Sequence, residues 1–230
     1  MIMQKTSDQP IINIQDGDQI FTKLRNLGNS LKPTDDENYF FFEIIRELLD
    51  SALTNYGLLR LGYVENYNDH LVAWTCRNLL ELTVFTEYVL KSGANGQRFV
   101  QDRLIDGCDI ITSLRDLERH HDPHSDTALL DQWLVAMQNQ MVAEAVIAKK
   151  YLSTNTIADT VGMKAEYAAM NKVCSKLVHP TSYSVLAINK GTNSFPQARE
   201  ILFACGVGYM SQMYLAVNSH NAKQGMRPNP

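Results

Sequence analysis

The chain has 230 residues and a formal net charge of −4, with 45% hydrophobic and 20% charged residues. This composition is that of a globular domain and excludes a disordered chain, and the negative charge argues against a general nucleic-acid-binding surface. The four cysteines are widely spaced and form no CxxC motif, which excludes a zinc cluster or thioredoxin-like chemistry and predicts free buried thiols.

Two segments bear on location. The first ten residues, MIMQKTSDQP, lack the apolar core of a signal peptide, so a reducing, cytoplasmic location is expected. Residues 201–218 carry no charge and are long enough to span a membrane. This segment contains Ser211, Gln212 and two glycines, and the other predicted helices carry regular charges. We therefore interpret it as a buried central helix and expect no membrane partner.

Hydrophobic periodicity predicts an all-α fold, a helical bundle of about six to seven helices. The predicted helices cover approximately residues 18–31, 39–61, 69–91, 96–119, 125–151, 159–178 and 197–220. The polar residues 1–16 are predicted to be an N-terminal arm with a short edge strand around residues 10–14. Residues 17–220 are predicted to form a single helical domain, and residues 221–230 a disordered tail.

The third predicted helix carries an unusual pair of charges. Its apolar residues form one arc, and Arg77 and Glu81 project within that arc, while several threonines occupy the opposite side. The pair is therefore predicted to face the bundle interior or a cleft. The two residues are four apart and can form an ion pair. Two interpretations stay open: a structural ion pair that ties the helix to its neighbours, or a polar binding pocket inside the bundle.

A second cluster ends the sixth predicted helix, where Lys172, Lys176 and His179 precede Pro180. A histidine at a helix C-terminus is favoured by the helix dipole, and the following proline is expected to end the helix. One interpretation is a capping histidine that contacts the last carbonyl groups. The other is a binding site formed by Arg77, Glu81, Lys176 and His179, which requires the third and sixth predicted helices to be neighbours.

Two short motifs carry a family resemblance. The first motif is Arg77-Asn78-Leu79-Leu80-Glu81, and the second, about ninety residues later, is Tyr167 followed by Ser175-Lys176-Leu177-Val178-His179-Pro180. Together they resemble a group of bacterial all-helical proteins of unknown function. That group is in turn similar to the HEPN superfamily of helical nucleotide-binding and ribonuclease domains. The resemblance covers about residues 40–190 and implies a HEPN-like helical bundle.

The resemblance also implies a catalytic site. HEPN ribonucleases carry an arginine, four to six residues and then a histidine on one helix, and both act on the scissile phosphate and the 2′-hydroxyl. Here His179 matches the histidine, and Lys172 stands where the family has arginine. These two residues are the candidate catalytic pair. HEPN sites are typically composite at a two-fold interface, so this interpretation includes a homodimer and RNA or a nucleotide as the ligand.

The remaining charged segments are interpreted as solvated surface. The mixed charges of the fourth predicted helix predict a solvated face with weak ion pairs. The loop His120-His121-Asp122-Pro123-His124 offers metal ligands, but Pro123 separates them and no second cluster supports them, so no metal and no cofactor is expected.

Two functions therefore stay open. The first is a non-catalytic binding or regulatory module with a polar pocket, whose ligand and partner are unknown. The second is a divergent HEPN-type, metal-independent ribonuclease of a toxin or phage-defence system.

Overall fold

The computed structural model describes residues 13–31, 36–64, 69–146, 150–179 and 198–223. These residues form eight α-helices and no strand. The helical bundle predicted from the sequence is confirmed, with one helix more than the seven ranges predicted. The helices are α1 (Ile14–Ser30), α2 (Asp36–Val64), α3 (Asp69–Lys91), α4 (Gly93–His121), α5 (Ala128–Ala143), α6 (Thr154–Thr160), α7 (Lys164–Val178) and α8 (Ala198–Lys223).

The extra helix arises at a glycine. A single helix was predicted over residues 159–178, but the chain turns at Gly162, which has a φ of +80°. This left-handed conformation is readily adopted only by glycine, and it separates α6 from α7. Helix α6 also begins before the predicted range, because Ser153 caps it and the Ser153 side chain accepts a hydrogen bond from the Thr156 N–H.

The ends of the fold also differ from the prediction. The N-cap of α1 is Asn13, which exchanges reciprocal hydrogen bonds of 3.0 Å with Asp16. This capping box places residues 14–16, assigned to the N-terminal arm, in the first turn of α1. Residues 221–223, assigned to the tail, complete α8. The predicted edge strand lies mostly outside the described residues, and Ile14 at its end is helical.

The central element is α3, which packs against α2, α4, α6, α7 and α8. Its threonines were predicted to face away from the core, but Thr75, Thr83 and Thr86 are fully buried. Each hydroxyl donates a hydrogen bond to the carbonyl oxygen four residues earlier, so burial leaves no threonine hydroxyl unsatisfied. Thr83 also donates to the Tyr209 carbonyl at 3.2 Å, which links α3 to α8.

Helix α8 was predicted to lie at the centre of the bundle, and it is instead a partly exposed partner of α3. It packs against α1, α2 and α3 through one side, while Ile201 and Leu215 are exposed. Within the described residues, α8 is the one helix long and apolar enough to cross a membrane by length and composition. Its packing against three other helices accounts for much of its apolar character.

Helices α4 and α5 form an antiparallel hairpin that extends from the bundle. The buried residues of α4 all lie in its first half, between Gly96 and Ile105. Among the described residues, α5 packs against α4 alone and has no buried residue. Helix α5 ends at Ala143, two residues before Ala145 with its φ of +51°, so the fifth predicted helix ends about eight residues earlier than expected.

Candidate functional site

The predicted ion pair between Arg77 and Glu81 is present on α3. Arg77 Nε donates a hydrogen bond to Glu81 Oε1 at 3.0 Å. The pair was predicted to face the bundle interior or a cleft. It does not face the interior, because Trp74 on the same side of α3 is exposed and the opposite side holds the buried threonines. The Arg77 and Glu81 side chains are 30% and 24% exposed. The pair therefore lies at a partly open side of the central helix.

Helices α2 and α7 flank this open side of α3. From α7, Tyr167 Oη donates to Glu81 Oε1 at 3.4 Å. From α2, Asn55 Oδ1 accepts a hydrogen bond of 2.9 Å from Asn78 Nδ2. Because α2 and α7 contact α3 but not each other within the described residues, the Arg77 side of α3 is left partly uncovered between them.

We call this feature the Arg77 cleft and define it by five residues: Asn55, Arg77, Asn78, Glu81 and Tyr167. Burial raises the pKa of Tyr167, and the neighbouring Glu81 carboxylate raises it further because it disfavours a phenolate. Tyr167 is therefore a hydrogen-bond donor at neutral pH. The cleft thus combines a guanidinium, a carboxylate, two amides and a neutral phenol.

Two thiols lie beneath the cleft where α7 packs on α3. Cys76 and Cys174 are free and fully buried. The neighbouring Cys76 thiol lowers the pKa of Cys174 against the effect of burial, and the Arg77 charge lowers it further. The neighbouring Cys174 thiol and burial raise the pKa of Cys76. The two thiols are part of the packed contact between α3 and α7.

The predicted contact between the third helix and the helix that ends at His179 is confirmed, since α3 packs against α7. Only one face of α7 makes this contact, however. Tyr167 and Cys174 lie within about 20° of each other around the helix axis and face α3. Lys172 and Lys176 lie roughly 160° away on either side of Cys174, and both are exposed.

His179 is the C-cap of α7. The helix ends at Val178, and His179 adopts an extended conformation with a φ of −85° and a ψ of 148°. Its backbone N–H donates to the Ser175 carbonyl oxygen at 3.1 Å, and the residue is exposed. The expectation that the helix ends before Pro180 is confirmed. Lys172, Lys176 and His179 therefore share the outer side of α7, apart from Arg77 and Glu81 on α3.

The histidine loop does not form a compact cluster. His120 and His121 complete α4, and the residues from His120 to His124 are all exposed. Within the described residues, no group of three or more His, Cys, Asp or Glu side chains could hold a metal ion. The interpretation of this loop as solvated surface agrees with these exposures.

Sequence reasoning missed three residues of the Arg77 cleft as site residues: Asn55, Asn78 and Tyr167. Tyr167 stood inside the quoted family motifs, but nothing in its spacing indicated a contact with Glu81, which is 86 residues earlier. Asn55 directly precedes the core residue Tyr56 in the sequence of α2. A polar residue beside a core position is a weak signal, since solvated helix faces carry many of them.

No protein-family model, no curated protein and no solved structure matches this chain.

Proposed function

We propose that this chain is a non-catalytic helical binding or regulatory module and that the Arg77 cleft is its ligand site. One observation carries the proposal. Glu81 accepts a hydrogen bond from Nε of Arg77, and within the described residues neither terminal Nη group of Arg77 has an acceptor. A guanidinium fixed through Nε presents its two Nη groups as a fork that matches a carboxylate or phosphate.

The surrounding residues favour a small anionic ligand that also accepts or donates neutral hydrogen bonds. The Tyr167 hydroxyl lies beside Glu81, and Asn78 and Asn55 add amide groups on the α2 side. Polar groups of this kind fix the orientation of a ligand in a cleft, while the charged group supplies most of the attraction. Glu81 keeps the guanidinium oriented and limits the net positive charge, which selects against highly charged polyanions.

The proposal is tested by titrating the isotopically labelled protein with acetate, inorganic phosphate and adenosine monophosphate. We expect at least one of these probes to shift the resonances of Arg77 and Tyr167, and Arg77→Met to abolish the response. The matched control is Arg46→Met, since Arg46 pairs with Glu43 on the exposed side of α2 at 2.7 Å. A response that is absent for all three probes, or that survives Arg77→Met, contradicts the proposal.

The second candidate function is a divergent HEPN-type ribonuclease that uses His179 and Lys172, and one observation favours it. Lys172, Lys176 and His179 share the exposed outer side of α7 in a chain whose overall charge is negative. Lys172 and His179 are seven residues apart, close to two helical turns, so both could reach one RNA backbone. Lysine supplies a point charge where the family's arginine supplies a fork.

This candidate is tested by incubating the protein with a single-stranded RNA oligonucleotide in EDTA. Cleavage that is lost in both His179→Ala and Lys172→Ala but kept in Arg77→Met supports the ribonuclease. The absence of cleavage by the wild-type protein rules out this second function and leaves the proposal for the Arg77 cleft unchanged.

A further inference from the structure

The α5 helix has an apolar sequence and an exposed position. Of its 16 residues, 11 are Ala, Leu, Val, Met or Trp, and none is buried. A helix that is apolar on several sides is normally enclosed by other elements. Within the described residues, α5 has only α4 as a neighbour, so most of its apolar surface faces solvent in the single chain.

The contacts between the two helices fix the orientation of the hairpin. Gly107 of α4 lies against Met137 of α5, and Cys108 Sγ lies 3.6 Å from Met141 Sδ. Nearer the connecting loop, Arg115 Nη1 and Asp131 Oδ1 are 3.3 Å apart. These contacts define the line along which the antiparallel helices meet.

One side of the hairpin carries a continuous apolar face. On α4, Ile110, Leu114 and Leu117 follow i, i+4, i+7 spacing and lie roughly 120° around the axis from the contact line. On α5, Leu129 and Trp133 lie roughly 110° from that line, in the same direction of rotation about the helix axis. Because the two helices are antiparallel, the residues of both helices then lie on the same side of the hairpin. We call these five residues the apolar hairpin face. Each is between 49% and 60% exposed.

We propose that the apolar hairpin face binds the same face of a second copy of this chain, and that the two hairpins form an antiparallel four-helix bundle. The face is two helices wide and about three turns long, and a second two-helix face has the matching shape. A two-fold axis through its centre lets the same five residues serve both sides of the interface. None of the five residues that define the face is charged.

The exposed area is sufficient for such a dimer. Half-exposed Leu, Ile and Trp side chains each leave about 100 Å² in water, so the face presents on the order of 500 Å² per copy. Two faces together then bury roughly 1,000 Å² before their polar rims are counted, which reaches the size of a specific interface. An apolar patch of this size is at the upper end for a monomer.

This dimer is independent of the Arg77 cleft and of the α7 residues, because the apolar hairpin face lies on α5 and on the second half of α4. Within the described residues α5 contacts α4 alone, and α4 does not contact α7. It differs from a dimer that pairs His179 with its copy, which would bring together the outer sides of α7.

The test is sedimentation velocity of the full chain at concentrations from about 1 to 100 µM. This range covers the weaker dissociation constants found for interfaces of this size. We expect a dimer, and we expect Leu114→Glu and Trp133→Glu each to raise its dissociation constant roughly tenfold or more. The matched control is Val142→Glu on the other side of α5, where Val142 is 81% exposed, and it should leave the dimer unchanged.

Circular dichroism must show wild-type helicity for each variant, and Leu117→Ser replaces any variant that fails to fold. A wild-type protein that stays monomeric up to the highest concentration overturns the proposal and assigns the face to a different partner. A dimer that survives both face variants, or that Val142→Glu disrupts as strongly, overturns it as well.

Discussion

Arg98 Nη2 lies 2.7 Å from Asp102 Oδ1, one turn further along α4. The second carboxylate oxygen of Asp102 accepts a hydrogen bond of 3.1 Å from the Leu152 N–H, and Arg98 donates to the Lys150 carbonyl oxygen. The pair therefore fastens the chain that follows α5 to the base of the hairpin. The prediction that all charges of this helix are solvated was wrong for Asp102, which is 7% exposed.

We expect Asp102→Ala to lower the free energy of unfolding by roughly 2–4 kcal/mol. The substitution leaves the Arg98 charge without its ion-pair partner and the Leu152 N–H without its acceptor. Urea unfolding measures the loss. The control is Asp116→Ala on the same helix, since Asp116 is well exposed in its pair with Arg115 and should change stability by less than about 0.5 kcal/mol. Equal losses in the two variants would show that Asp102 has no structural role.

Most of the helices were predictable because long periodic apolar patterns determine them. The α3 range of residues 69–91 was predicted without error, since its pattern is uninterrupted and Asp69 and Lys91 match the helix dipole at the two ends. The break at Gly162 was missed because a glycine inside a periodic pattern is compatible with either a continuous helix or a left-handed turn.

The candidate site was less predictable. The spacing of Arg77 and Glu81 gave their pairing, which is a local property of one helix. Which side of α3 is buried depends on how five other helices pack around it, and this information is spread over the chain. The threonines misled the prediction, because their hydroxyls bond to the helix backbone and allow them to be buried.

Alanine substitutions at two nearby glycines of α8, Gly206 and Gly208, should change the stability of the protein in opposite directions. A Cβ atom at Gly206 would lie 2.6 Å from Leu59 Cδ2 and 3.3 Å from Leu79 Cδ1, and both leucines are fully buried and cannot move into solvent. We expect Gly206→Ala to cost about 1–3 kcal/mol of stability through overpacking. Thermal unfolding followed by circular dichroism provides the measurement.

A Cβ atom at Gly208 meets no atom within 4 Å. Gly208→Ala should therefore raise stability by roughly 0.5–1 kcal/mol, because alanine is the better helix former. This open space contradicts the expectation from sequence that residues 201–218 lie in the centre of the bundle. Destabilisation by Gly208→Ala would mean that another part of the chain covers this side of α8.

Buried tyrosines should make the fold sensitive to alkaline pH. Burial raises the pKa of Tyr56, and its hydrogen bond of 2.8 Å to Asp18 raises it further. Burial also raises the pKa of Tyr209, with a further contribution from Glu166. In the unfolded chain a tyrosine ionises near pH 10. The folded protein holds these protons above that value, so their contribution is complete below about pH 10 and decreases as the pH rises further.

We therefore expect the urea midpoint to fall above about pH 10, with tyrosinate absorbance appearing together with unfolding. Tyr56→Phe should lose about 1 kcal/mol at neutral pH, from the hydrogen bond to Asp18, and should show a smaller decline at high pH. Tyr151→Phe is the control, since Tyr151 is exposed and should behave like the wild-type protein. Identical pH profiles for wild type and Tyr56→Phe would contradict the assignment.

The Arg77–Glu81 pair should contribute more to the free energy of unfolding than its exposure suggests, because Glu81 accepts hydrogen bonds from residues of two helices. Its Oε1 accepts from both Arg77 at 3.0 Å and Tyr167 at 3.4 Å. Glu81→Ala removes both contacts and leaves a partly buried guanidinium without its partner. We expect a loss of roughly 1–2 kcal/mol, between the values of exposed and fully buried pairs.

Replacing Arg77 and Glu81 together by methionine should cost less than Glu81→Ala alone, because no unpaired charge remains and the new side chains keep most of the apolar packing. Urea unfolding of the two variants, with Glu43→Ala as an exposed-pair control on α2, gives the comparison. If the double variant is the less stable of the two, the ion pair itself stabilises the fold beyond its desolvation cost. In that event Arg77 is held primarily as a structural residue, and the Arg77 cleft loses its main support as a ligand site.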